Sequence, residues 1–105
     1  MTEQQFLELV DQTLDAIEDA VDACGADVEI DRSGQVLQLS FEDGSRVIVN
    51  SQAPMRELWI AARSGGFHFR RDGERWVDTR SGEDMWGCLS RCVSEQAGSS
   101  VMLGG

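Results

Sequence analysis

The chain has 105 residues, which at roughly 100–150 residues per domain predicts a single domain over 1–105 and excludes a second. Hydrophobic residues make up 41% and charged residues 27%, with three Trp and four Phe, enough apolar bulk to exclude wholesale disorder. The net charge is −10, and residues 1–31 hold ten acids with no Lys or Arg, so the field repels nucleic acid phosphates and anionic membranes while attracting cations or basic protein surfaces.

Thr2-Glu3-Gln4-Gln5 fits a capping box and predicts a helix from about residue 3. At about 100° per residue, Phe6, Leu7, Leu9, Val10, Thr13, Leu14, Ile17, Ala20 and Val21 share one arc. Glu8, Asp11, Asp15, Glu18, Asp19 and Asp22 share another, which makes a carboxylate ridge opposite the core face. Gly25 ends the helix.

The period then changes from 3.6 to 2. Asp27-Val28-Glu29-Ile30-Asp31 alternates strictly and reads as a strand with three carboxylates on one face. Ser33-Gly34 turns the chain into Val36–Phe41, and Asp43-Gly44 turns it into Arg46–Asn50. Leu58–Ala62, Phe67–Arg70 and Arg75–Asp78 supply three more strands, the last two joined at Asp72-Gly73. Such short connections favour an antiparallel sheet of sequential neighbours. Ser81-Gly82-Glu83-Asp84 caps a second amphipathic helix that runs through Met85, Trp86, Leu89, Cys92, Val93 and Gln96 to Gly98. The prediction is an α+β two-layer sandwich, with both helices on one face of a six-stranded antiparallel sheet and the apolar tail Val101-Met102-Leu103 tucked against them.

No conventional active site is visible. His68 is the only histidine and its Phe67-His68-Phe69 setting offers no catalytic partner. Cys88 and Cys92 have helical i, i+4 spacing, but structural zinc usually needs four ligands, and Cys92 lies on the apolar stripe as a core residue. Three cysteines without a CxxC argue for reduced thiols. With acids where a signal peptide would be basic and apolar, the expected compartment is the cytoplasm.

The ridge admits three readings: a solvated face, a cation site, and a docking surface for a basic protein. An ordinary solvated face mixes signs, whereas Asp11–Asp15, Asp15–Asp19 and Glu18–Asp22 are like-charge pairs that weaken a helix. Carboxylates on the helix and the following strand are hard oxygen donors suited to magnesium, calcium, manganese or iron, in exposed and weak sites. Trp59 is a separate candidate, because Leu58 and Ile60 facing the helices put it on the bare sheet face as a contact anchor.

The sequence resembles the bacterial frataxin family across nearly its whole length. The resemblance rests on the acidic first helix, Phe41-Glu42-Asp43-Gly44-Ser45, Asn50-Ser51-Gln52-Ala53-Pro54 leading to Leu58-Trp59-Ile60-Ala61, Ser64–Phe69, and Arg80-Ser81-Gly82-Glu83-Asp84-Met85-Trp86. It implies a non-enzymatic regulator of iron–sulfur cluster assembly that binds ferrous and ferric iron weakly and contacts the cysteine desulfurase and scaffold assembly complex. Carried over, the implied iron ligands are Glu18, Asp19 and Asp22 at the end of the ridge and Asp27, Glu29 and Asp31 on the edge strand. The implied partner surface is Asp11, Asp15, Glu18, Asp19, Asp22 and Trp59, on a monomer that iron can drive into oligomers. Two features depart from the family: Asp22-Ala23 stands where relatives often have consecutive acids, and the turn Cys24-Gly25-Ala26 is short and uncharged. The alternative reading is an acidic adaptor of the desulfurase complex with incidental metal binding, and oxidation of ferrous iron at the ridge is a third.

Overall fold

The capping box at Thr2 forms as the sequence predicts. In this computed structural model, which describes residues 1–104, helix α1 spans Glu3–Ala23. The Thr2 hydroxyl accepts from the Gln5 amide at 3.1 Å, and the Gln5 side-chain oxygen accepts from the Thr2 amide at 2.9 Å. Two amides that the first helical turn leaves unpaired are thereby satisfied. At the other end Gly25 adopts φ +81°, a left-handed conformation that a side chain would strain, and the chain turns into the sheet.

Six strands follow: β1 (Val28–Ser33), β2 (Val36–Phe41), β3 (Arg46–Gln52), β4 (Glu57–Ala62), β5 (Gly65–Asp72) and β6 (Arg75–Asp78). All neighbours are antiparallel and the order is sequential, leaving β1 and β6 at the edges. Several details differ from the sequence reading, β3 running on to Gln52 and β4 starting at Glu57 among them. β1 starts one residue later than expected and runs on through Ser33, which brings Arg32 into the alternation. β5 is twice as long as expected because the Asp72-Gly73 hairpin extends pairing to Asp72 opposite Arg75, while its other end pairs Gly65 with Ala62. β3 and β4 are joined by a short 3-10 turn, Ala53–Met55, after which Arg56 takes a left-handed φ of 53°. Helix α2 (Met85–Ala97) starts at Asp84, whose carboxylate accepts from the Trp86 amide at 3.0 Å, and ends on Gly98.

Strand alternation sends Leu37, Leu39, Phe41, Val47, Val49, Leu58, Ile60, Phe69 and Trp76 to the face that the helices cover. Phe6, Val10, Leu14, Ile17 and Val21 of α1 and Met85, Leu89, Cys92 and Val93 of α2 close over them. Each such side chain contributes about 1.5–3 kcal/mol of transfer free energy on burial. Thr13, a polar residue in the apolar arc, is accounted for by Trp76, whose indole N–H donates to the Thr13 hydroxyl at 3.0 Å; that hydroxyl donates in turn to the Leu9 carbonyl at 2.8 Å. The tail packs as expected: Leu103 is buried, and Ser90 and Ser94 bind the backbone of Leu103 and Val101.

Candidate acidic binding site at the sheet edge

The acids of α1 and β1 are distributed around the edge strand rather than gathered at one point. In β1 the alternation turns Val28, Ile30 and Arg32 toward the helix layer and Glu29, Asp31 and Ser33 outward. Asp27, Glu29 and Asp31 are all exposed. They share the open sheet face with Trp59, whereas the ridge of α1 lies on the helix side of the same edge.

Arg32 is the residue that sequence reasoning missed. Its guanidinium reaches up from β1 to the ridge, donating to Asp11 Oδ1 at 3.1 Å, to Glu18 Oε2 at 3.0 Å, and to Asp15. Burial opposes its charge, but the hydrogen bonds it donates to Glu18 and Asp15 outweigh that and raise its pKa above the ordinary arginine value. The Gln35 side chain also donates to Asp11. The like-charge pair Asp11–Asp15 of the ridge is thus bridged by a cation from the neighbouring strand. Asp11, Asp15 and Glu18 are neutralised in part by an internal cation, while among the described residues Asp19 and Asp22 form no ion pair and stand in solvent. One more step of the β1 alternation, from Ile30 to Arg32, is the signal that would have found the clamp.

Among the described residues no three His, Cys, Asp or Glu side chains converge as a cage for a metal ion. The nearest grouping on the open face is a shallow depression of about 280 Å³ lined by Asp27, Glu29, Ser40, Phe41 and Glu42. Glu42 enters it through the hairpin register, which pairs Val28 with Phe41 and so carries Glu42 to the end of the ladder beside Asp27. The six sequence-predicted metal ligands thus fall into two sets, Glu18, Asp19 and Asp22 on the helix and Asp27, Glu29 and Asp31 on the strand. What these hard oxygen donors can do is hold hydrated cations through one or two carboxylates each.

Trp59 lies on the open face, as alternation requires, but half-buried rather than projecting freely. Its ring stacks on His68 of β5 with centroids 4.1 Å apart and planes 11° apart. Its indole N–H donates to Glu57 Oε1 at 2.9 Å, and Arg70 Nη2 donates to Glu57 Oε2 at 2.9 Å. The Glu57 carboxyl, buried beneath them, is held below the usual range chiefly by the hydrogen bond from Trp59, against a burial effect of opposite sign, with Arg70 assisting. Trp59 is consequently a fixed flat anchor.

A cleft of about 490 Å³ lies elsewhere, lined among others by Phe67, His68, Arg80 and Arg91, and contains none of the sequence-predicted metal or partner residues. Its Arg91 is paired with Glu83 at 3.1 Å. Among the described residues no helix is long and apolar enough to cross a membrane.

A two-helix, six-strand sandwich with a carboxylate-rich edge and a stacked aromatic on its open face defines a small domain of the α+β class. The family model for the frataxin-like domain matches residues 1–99, and the chain belongs to that family. It is 59% identical to the iron-sulfur cluster assembly protein CyaY of Cupriavidus pinatubonensis, over 99% of this chain and 97% of that one. It is 58% identical to the protein of the same name from Bordetella parapertussis, over 98% of each. Among solved structures, frataxin from Psychromonas ingrahamii superposes with a TM-score of 0.93 at 32% identity, covering both chains fully. Trimeric frataxin from Saccharomyces cerevisiae, complexed with ferrous iron, superposes with a TM-score of 0.69 at 23% identity over 94% of this chain and 88% of that one, a likeness of fold.

Proposed function

We propose that the chain is a non-enzymatic, iron-binding regulator of iron–sulfur cluster assembly in the cytoplasm. Ferrous and ferric iron bind weakly at Glu18, Asp19, Asp22, Asp27, Glu29 and Asp31, and the cysteine desulfurase complex docks on Asp11, Asp15, Glu18, Asp19, Asp22 and Trp59. The observation that carries this reading is the set of exposed carboxylates that form no ion pair among the described residues, Asp19 and Asp22 on α1, Asp27 just before β1, and Glu29 and Asp31 on it, which flank one sheet edge. Relatives named as iron–sulfur cluster assembly proteins support it. So does the ferrous complex of the yeast frataxin, whose trimer is in keeping with a monomer that iron drives into oligomers.

A second reading, an acidic adaptor whose metal binding is incidental, is favoured by one specific feature: Arg32 already occupies Asp11, Asp15 and Glu18. Anaerobic titration of ferrous iron into isotope-labelled protein separates the two. Line broadening confined to Glu18, Asp19, Asp22 and Asp27 through Asp31 supports the localised iron site. No perturbation at millimolar iron, or diffuse change reaching Asp78 and Glu95, leaves docking as the only function of the edge.

A further inference from the structure

Away from the acidic edge, α2 buries two thiols side by side. Cys88 and Cys92 are one turn apart on the helix and both fully buried. Residues four apart on a helix hold their Cβ atoms about 5–6 Å apart, beyond the roughly 3.8 Å of a relaxed disulfide. Both cysteines are free thiols. That spacing suits one ion held between two sulfurs better than a sulfur–sulfur bond.

Two polar groups touch the pair from outside. Arg91 Nη2 lies 3.8 Å from Cys88 Sγ, and Ser64 Oγ lies 3.9 Å from Cys92 Sγ. Ser64 is exposed and Arg91 only half-buried, so the thiols sit one side chain below the surface. Among the described residues no third donor completes a cage: His68 is on the opposite face of the sheet, and the Glu83 carboxylate is engaged by Arg91. Structural zinc requires four ligands, and iron favours the hard oxygens of the acidic edge. Two thiolates without a third ligand select a soft ion that is satisfied by two.

We propose that Cys88 and Cys92 form a two-coordinate site for the cuprous ion. Binding displaces both thiol protons to solvent, and the resulting bis-thiolate complex carries one negative charge beside the Arg91 guanidinium. Copper enters and remains as Cu(I), so no oxidant or reductant takes part in the step.

The test uses Cys24→Ser protein, in which Cys88 and Cys92 are the remaining thiols, titrated anaerobically with the cuprous bicinchoninate complex. The expected result is transfer of one copper per chain with two protons released, and a drop in affinity of more than about tenfold when either Cys88→Ser or Cys92→Ser is added. Because serine in the core can loosen α2, the unmodified protein gives a second readout. Copper should slow maleimide labelling of Cys88 and Cys92 in mild urea and leave Cys24 labelling unchanged. Copper that stays with the chelator, uptake that survives both serine substitutions, or protection at Cys24 alone would overturn the site.

Discussion

At Glu57 a carboxylate is buried on the sheet face that solvent reaches, and it stays there because the Trp59 indole and the Arg70 guanidinium supply its hydrogen bonds. Its folded pKa lies below the usual carboxylate value, so its stabilising contribution is complete above about pH 5 and is lost as pH falls through the folded pKa. Glu57→Gln keeps the shape and one acceptor but removes the charge that faces Arg70. Since Arg70 is mostly exposed, the loss should be about 1 kcal/mol near neutral pH. Urea unfolding of both proteins from pH 7 into acid checks this: the difference should shrink steadily as pH falls below the usual carboxylate range and the native carboxyl protonates. A difference that does not change with pH at all would mean that the glutamine is simply a poorer fit. Trp59 emission should shift over the same range, because the carboxylate fixes the ring against His68.

On the scale of elements, α2 and the tail form one unit. Ser90 and Ser94 each hold the tail backbone, the Leu103 amide at 2.8 Å and the Val101 amide at 2.9 Å, and Leu103 then closes the end of the core. Ending the chain at Ser100 should cost about 2–4 kcal/mol, mainly the burial of Leu103 and the cavity it leaves. Chemical denaturation measures that, and a loss below about 0.5 kcal/mol would show that the tail is bound too loosely to contribute. The helices and the six-strand meander could be read from the sequence because they are written in local signals: the Thr2 capping box, the Asp43-Gly44 and Asp72-Gly73 turns, and the change of period after Gly25. Gln96 could be placed on the apolar stripe, but nothing local announces that its amide joins the Arg63 amide, the Ser45 hydroxyl and the Arg46 carbonyl, partners 33 to 51 residues away. The candidate site divides in the same way. Its acids and Trp59 follow from alternation and helical spacing, whereas the Arg32 clamp depends on where β1 ends and on how α1 lies across it.

For the molecule as a whole, the net charge of −10 sets two electrostatic effects against each other. Repulsion among the α1 and β1 acids destabilises the folded state and is long-ranged, so salt relieves it as the Debye length falls from about 30 Å at 0.01 M to about 8 Å at 0.15 M. Attraction between Arg32 and Asp11, Asp15 and Glu18 is short-ranged and partly buried, since Arg32 is only 19% exposed, and salt weakens it less. The melting temperature should therefore rise between 0.01 and 0.15 M sodium chloride, by several degrees if about 1 kcal/mol of repulsion is screened. Arg32→Gln isolates the clamp. It leaves three carboxylates without their cation, so the variant should melt lower at low salt and recover more steeply than the parent as salt is added. Thermal unfolding of the two proteins across that range decides the matter. A melting temperature that falls with salt in the parent would mean that attractive pairs outweigh the repulsion, and the acidic edge would then be a stabilising network rather than a surface whose charge is free to meet a cation or a basic partner.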